Sequence, residues 1–148
     1  QPSGAACTPE PALQTTGYYV NADYEVKDGV VTKYISAADM KVAQVKGTEV
    51  SYYHKDHLNS STVMTNNSGT KVEETAYAPY GTMRAFTGTA VTNYRYTGKE
   101  IDPETNLYYY GARYYDPMMG RFITADSIVS DIYDPQDLNR YAYCRNNP

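Results

Sequence analysis

The densest set of potentially reactive side chains is His54-Lys55-Asp56-His57, because two imidazoles and a carboxylate are the usual ingredients of a divalent-metal site. On a strand, His54 and Asp56 share a face while His57 points the other way, so three ligands converge only if a turn intervenes. The chain has two histidines in all, so no further imidazole completes a set, and structural hydrogen bonding at a strand end is the expected role. Cys7 and Cys144 lie almost at opposite ends and match no zinc, haem or CxxC spacing. Two free thiols and a disulfide, within the chain or between chains, both remain open. Cys144 has no histidine within reach in sequence to activate it as a nucleophile. Asp116-Pro117 and Asp134-Pro135 supply carboxylates, but Asp-Pro is a stock turn starter. Tyrosine-rich stretches could stack sugar rings, although packing within a sheet is their expected use. No cofactor motif is present.

These side chains must be held by an unusual chain. Eighteen tyrosines against two phenylalanines and no tryptophan give it aromatic rings that also carry hydroxyls needing partners. With a mean hydropathy of −0.64, it is short of material for a deep aliphatic core and suits a thin-walled or extended sheet. The net charge of −4, with scattered lysines and arginines, argues against nucleic acid as a partner. No apolar run approaches the roughly 20 residues of a membrane helix. Residues 1–16 show neither a charged nor an apolar signal region, so no signal peptide is read.

Residues 1–17, rich in Pro, Ala, Gly and Thr, read as a linker or extended arm. From residue 18 onward the pattern is strand, turn, strand. Tyr18–Glu25 and Val30–Ser36 flank Lys27-Asp28-Gly29; Lys41–Lys46 and Glu49–His54 flank Gly47; Ser61–Thr65 and Lys71–Tyr77 flank Asn66-Asn67-Ser68-Gly69. Further strands are expected over Val91–Tyr96, Leu107–Tyr110, Arg113–Asp116 and Arg121–Thr124. A loose repeat of paired tyrosines before a glycine turn, as in Tyr77-Ala78-Pro79-Tyr80-Gly81 and Tyr108-Tyr109-Tyr110-Gly111, points to an array in which each unit buries its face against neighbours. The fold class is therefore all-β, a meander of antiparallel hairpins. Asp134-Pro135-Gln136-Asp137 reads as a helix start, with Leu138, Tyr141 and Cys144 at helical spacing, so one short helix is expected over 135–144.

Several stretches resemble the YD-repeat, or Rhs, family and its repeat-associated core. They are Tyr53-His54-Lys55-Asp56-His57-Leu58, Thr97-Gly98-Lys99-Glu100, the block Leu107 to Pro117, Gly120-Arg121-Phe122, and Asn139-Arg140-Tyr141 through Asn146-Asn147-Pro148. The resemblance covers about residues 18–148 and implies one β-domain there. It further implies a sheet that spirals into a hollow shell around a C-terminal toxin or effector, as in Rhs and Tc-toxin proteins, in secreted or cell-surface settings. It also implies an aspartyl autoprotease that frees the effector. Asp126 is where the resemblance places the first catalytic carboxylate, with Arg121 near enough in sequence to orient it. Two departures stand out. Asp126-Ser127-Ile128-Val129 lacks the Pro and Gly of the family's Asp-Pro-x-Gly motif, and a second such motif is expected after Pro148. The length is too small to close a shell, so a fragment, a degenerate relative or a reused assembly subunit is expected.

Three roles follow. The first is a casing or plug segment whose partner is a downstream effector domain. The second is a self-assembling fibre or adhesin unit that adds strands to copies of itself, with Cys7 and Cys144 at its two ends. The third is an autoprotease remnant built on Asp126. Structural weight is expected on Tyr108, Tyr109, Tyr110, Tyr114, Tyr115, Asp116 and Gly120. Three consecutive tyrosines imply that both faces of their strand are covered, with Tyr109 buried together with at least one of Tyr108 and Tyr110.

Overall fold

The computed structural model describes residues 17–129 and 131–148. Eight strands follow one another as an antiparallel meander in a single sheet: β1 Gly17–Asn21, β2 Tyr24–Lys27, β3 Val30–Ala37, β4 Met40–Lys46, β5 Glu49–Lys55, β6 Ser61–Asn66, β7 Lys71–Tyr77 and β8 Met83–Gly88. Four short strands form a second sheet in the order β12-β11-β10-β9: β9 Glu100–Ile101, β10 Tyr108–Tyr109, β11 Tyr114–Asp116 and β12 Arg121–Phe122. The all-β meander expected from the hairpin spacing is the architecture found. The arm expected over 1–17 lies outside the described residues except for Gly17, which opens β1.

Turn chemistry explains the connections. Asp28 and Gly29 both take left-handed φ values, +51° and +76°, as a two-residue hairpin with right-handed strand twist requires. In the β6–β7 turn the Asn66 side chain accepts from the Ser68 and Thr70 amides, at 3.0 and 2.9 Å.

Four expectations need correction. The single strand expected over Tyr18–Glu25 is a hairpin, turning at Ala22-Asp23, where the Asn21 side chain accepts from the Asp23 amide. A strand that was not anticipated, β8, pairs along β7 because Gly81 closes a tight turn behind Ala78, with its amide 2.8 Å from the Ala78 carbonyl. Val91–Tyr96 is not a ladder strand. It crosses the face of the large sheet and forms one isolated bridge, Tyr94 with Glu100. The helix expected over 135–144 is a run of turns, and a single 3-10 turn follows at Cys144–Asn146. Ten residues form a stable helix only if an apolar stripe is buried, and Leu138 and Tyr141 are exposed. Asp134 caps the Gln136 amide, and Arg145 pairs with both Asp134 and Asp137, which fixes the turns instead.

The core lies between the small sheet and the β7–β8 end of the large one. It comprises Tyr96, Ile101, Tyr108, Tyr115, Phe122 and Tyr143, with Tyr77, Tyr80 and Tyr110 packed against it. Register produces it: Ile101, Tyr108, Tyr115 and Phe122 oppose one another across β9, β10, β11 and β12 and form one inward row. The adjacent row, Glu100, Tyr109 and Tyr114, faces outward.

Candidate functional site

A core made of tyrosine must satisfy its hydroxyls, and three of them do so on one turn. Tyr96, Tyr115 and Tyr108 donate to the consecutive carbonyls of Pro79, Tyr80 and Gly81, at 2.7, 2.8 and 3.1 Å. Tyr110 lies 2.6 Å from the Thr97 hydroxyl and donates to the Tyr143 hydroxyl at 3.1 Å. Burial raises the phenol pKa values of Tyr108, Tyr115 and Tyr143 well above the ordinary range. Gly81 is part of the same device. Its φ is +87°, and a Cβ there would stand 2.5 Å from the Tyr96 ring.

A second polar device lies under Val91–Arg95 on the large sheet. Glu73 of β7 accepts from Arg95 Nη1 and from the Val91 amide, both at 2.7 Å, and the Arg95 and Glu73 side chains are 6% and 2% exposed. Arg95 also donates to the Thr75 hydroxyl. Beside it, Gln44 donates to the Val91 carbonyl, and the Tyr53 hydroxyl bridges Gln44 Oε1 and Thr92 Oγ1. The crossing segment is thus held by buried hydrogen bonds where a covering layer would ordinarily use aliphatic contact.

The Asp126 carboxylate sits outside both devices. Its Oδ2 is 2.7 Å from Nη2 of Arg113, which stacks its guanidinium 3.7 Å from the Phe122 ring centroid. Its Oδ1 accepts from the Ile128 amide, and its own amide donates to the Arg140 carbonyl. Arg121 does not reach it: that residue is exposed, opposes Asp116 in the β11–β12 register and bridges Ala142. Arg113 therefore holds the place expected of Arg121. Asp126 and Asp137 line the same shallow cavity, and Asp137 is committed to Arg145. No second carboxyl is hydrogen-bonded to Asp126 among the described residues, so the proton-sharing pair that aspartyl chemistry needs is not assembled here.

The remaining expected residues separate cleanly. Tyr108 and Tyr115 are fully buried, and Tyr110 is half-buried against the core. Tyr109 is 48% exposed and Tyr114 43%, so the two-sided covering expected of the triple tyrosine is wrong for Tyr109. The short strand carries aromatic rings on both faces, yet among the described residues only one face is buried against a layer. Asp116 caps the next turn, accepting from the Met118 and Met119 amides, and Gly120 closes it at φ +66° against the Tyr80 ring. His54 bonds Thr65, and Asp56 caps the Leu58 and Ser60 amides; no metal-competent cluster occurs among the described residues. Cys144 is exposed, and Cys7 lies outside the described residues.

Comparison with known proteins agrees with this geometry. The Teneurin YD-shell family model matches residues 20–148. The chain belongs to the YD-shell family. One relative, the tRNA3(Ser)-specific nuclease WapA of Bacillus spizizenii, is 31% identical over an alignment of 144 positions, with 90% of this chain and 6% of that protein covered. Toxin subunit YenC1 of Yersinia entomophaga is 34% identical over an alignment of 116 positions, with 71% of this chain and 11% of the subunit covered. Among solved structures, the crystal structure of TcdB2-TccC3-Cdc42 superposes with a TM-score of 0.71 at 27% identity, covering 85% of this chain and 7% of that one. The chain thus spans a small part of the length of the proteins it matches, and as a YD-shell match it is a structural shell segment. No helix among the described residues is long and apolar enough to cross a membrane.

Proposed function

We propose that this YD-shell segment is part of a casing wall, with its small sheet folded inward as a plug, that encloses a C-terminal effector in a secreted or surface-displayed toxin-type protein. The observation that carries the reading is an eight-stranded sheet with two open edges. Strands β1 and β8 each pair on one side only among the described residues, whereas one face is covered by the chain's own crossing segment. An exposed row of backbone donors and acceptors at each edge is a template for further strands. Such a sheet is suited to be continued in both directions and to wrap. The toxin subunit and nuclease relatives, each many times longer, supply the context in which continuation makes a shell. Limited proteolysis of the polypeptide expressed from its natural reading frame tests this. A downstream domain that resists digestion until the shell is denatured supports the casing; one cut as fast as the isolated domain refutes it.

The same open edges favour a second reading, a homopolymer in which β1 of one copy adds to β8 of the next. Light scattering across a concentration series separates the two, because growth of mass with concentration requires the polymer. An autoproteolytic role for Asp126 would need a second carboxyl from elsewhere in the polypeptide. Intact mass of Asp126→Asn against the native protein tests it, since only a self-cleaving protein changes its product.

A further inference from the structure

We propose that Tyr109 and Tyr114 are an oxidative modification site, where the two rings join as a dityrosine that staples β10 to β11 when this surface meets a peroxidase-type oxidant. The two residues oppose each other in the β10–β11 register, where cross-strand Cβ atoms stand about 4.5–5.5 Å apart. Their ring centroids are 5.3 Å apart, a separation of aromatic rings in contact, with planes inclined at 49°. Both rings meet solvent, Tyr109 at 48% and Tyr114 at 43% exposure. Closeness and access coincide at no other tyrosine pair among the described residues. Tyr115 and Tyr143 are nearer, at 4.5 Å, and so are Tyr34 and Tyr94, at 5.0 Å, but Tyr115, Tyr143 and Tyr34 are buried. Tyr18 and Tyr133 are more exposed, yet neither forms a ring pair among the described residues.

The chemistry is that of neighbouring phenols under one-electron oxidation. A peroxidase-type oxidant, with peroxide as terminal acceptor, takes one electron from each ring while each hydroxyl gives up its proton. The two phenoxyl radicals couple through a carbon beside each oxygen, forming one C–C bond. The hydrogens on those two carbons then leave as protons and the two oxygens regain protons, so both phenols are restored. Overall two ring C–H bonds are broken, and two electrons and two protons pass to one peroxide, giving two waters. The link acts on register. Strand β10 has two residues, and a slip of one residue would turn the inward Tyr108–Tyr115 pair outward. A bond across the adjacent Tyr109–Tyr114 pair excludes that slip.

The test treats the full chain with a haem peroxidase and hydrogen peroxide, isolates the monomer and digests it with trypsin. Cleavage after Lys99, Arg113 and Arg121 places Tyr109 and Tyr114 on separate peptides, 100–113 and 114–121. A cross-link holds these peptides together at their summed mass less two hydrogens, with or without oxygen added at Met118 and Met119. The joined peptides are expected from the native protein and are expected to be lost in Tyr109→Phe and in Tyr114→Phe. They are expected to persist in Tyr110→Phe, whose ring contacts Tyr115 and is the rival pairing across the same two peptides. Melting curves on each variant separate a lost reaction from a lost fold. Amides over 108–116 are expected to exchange more slowly in the linked monomer than in the unlinked one. The proposal is overturned if the oxidised monomer yields no joined peptides, if Tyr109→Phe leaves them in place, if Tyr110→Phe removes them with the fold intact, or if the link leaves exchange unchanged.

Discussion

Arg95 Nη1 lies 2.7 Å from Glu73 Oε1 in a site almost closed to solvent. The pair ties the segment that crosses the large sheet to the strand beneath it, and the Val91 amide completes the carboxylate's coordination. Removing one member leaves the other buried without its counter-charge. Arg95→Met or Glu73→Leu alone is expected to destabilise by about 3–5 kcal/mol in urea unfolding, with the double replacement costing less than the sum of the two. Additive losses would mean that the two residues act independently.

The small sheet separates rings by face. Tyr108→Ala is expected to cost about 3–5 kcal/mol, as large-to-small changes in cores do. Tyr109→Ala, on the outward row, is expected to cost about 1 kcal/mol or less. Paired thermal melts check the difference, and equal losses would mean that the outward row is covered in solution.

Gly81→Ala combines an unfavourable φ with a clash against the Tyr96 ring. It is expected to destabilise by at least about 2 kcal/mol, measurable as a lower denaturant midpoint.

Alkaline pH should unfold the protein through its tyrosines. Burial, opposed in part by Arg95, pushes the Tyr77 phenol up to about 12, and burial also raises Tyr34, Tyr53, Tyr94 and Tyr108. A raised folded-state pKa means that the neutral hydroxyl is favoured by folding. The stability it contributes is fully present below the unfolded value of about 10 and is lost as pH rises through the folded values. Tyrosinate absorbance is therefore expected to rise in step with loss of circular dichroism above about pH 10. Early titration of most tyrosines with the fold intact would contradict the buried core.

The large sheet was legible because its turns are written in local chemistry: Asp28-Gly29, Gly47 and the Asn66–Gly69 stretch each fix a hairpin without tertiary help. Two segments were harder to place: β8 follows a local turn whose Gly81 is also constrained by the distant Tyr96 ring, and the crossing segment owes its position to long-range contacts at Glu73. Lys71-Val72-Glu73-Glu74-Thr75 carries an alternation that puts Glu73, Thr75 and Tyr77 on one face, yet nothing local says that this face is the buried one. The Arg113–Asp126 pair is not legible in the sequence for a related reason. The distance between the two along the chain is closed only when β11, β12 and the Arg140 turn assemble. Tyr109 misled because three consecutive tyrosines read as two covered faces, whereas a hydroxyl lets such a ring remain in water.

The casing is tested most directly by electron cryo-microscopy of the polypeptide expressed from its natural reading frame. The account predicts that β1 and β8 are both paired to further strands of one continuous sheet that curves around enclosed density from the downstream region. A map in which both edges face solvent, with the downstream domain outside the sheet, would contradict it.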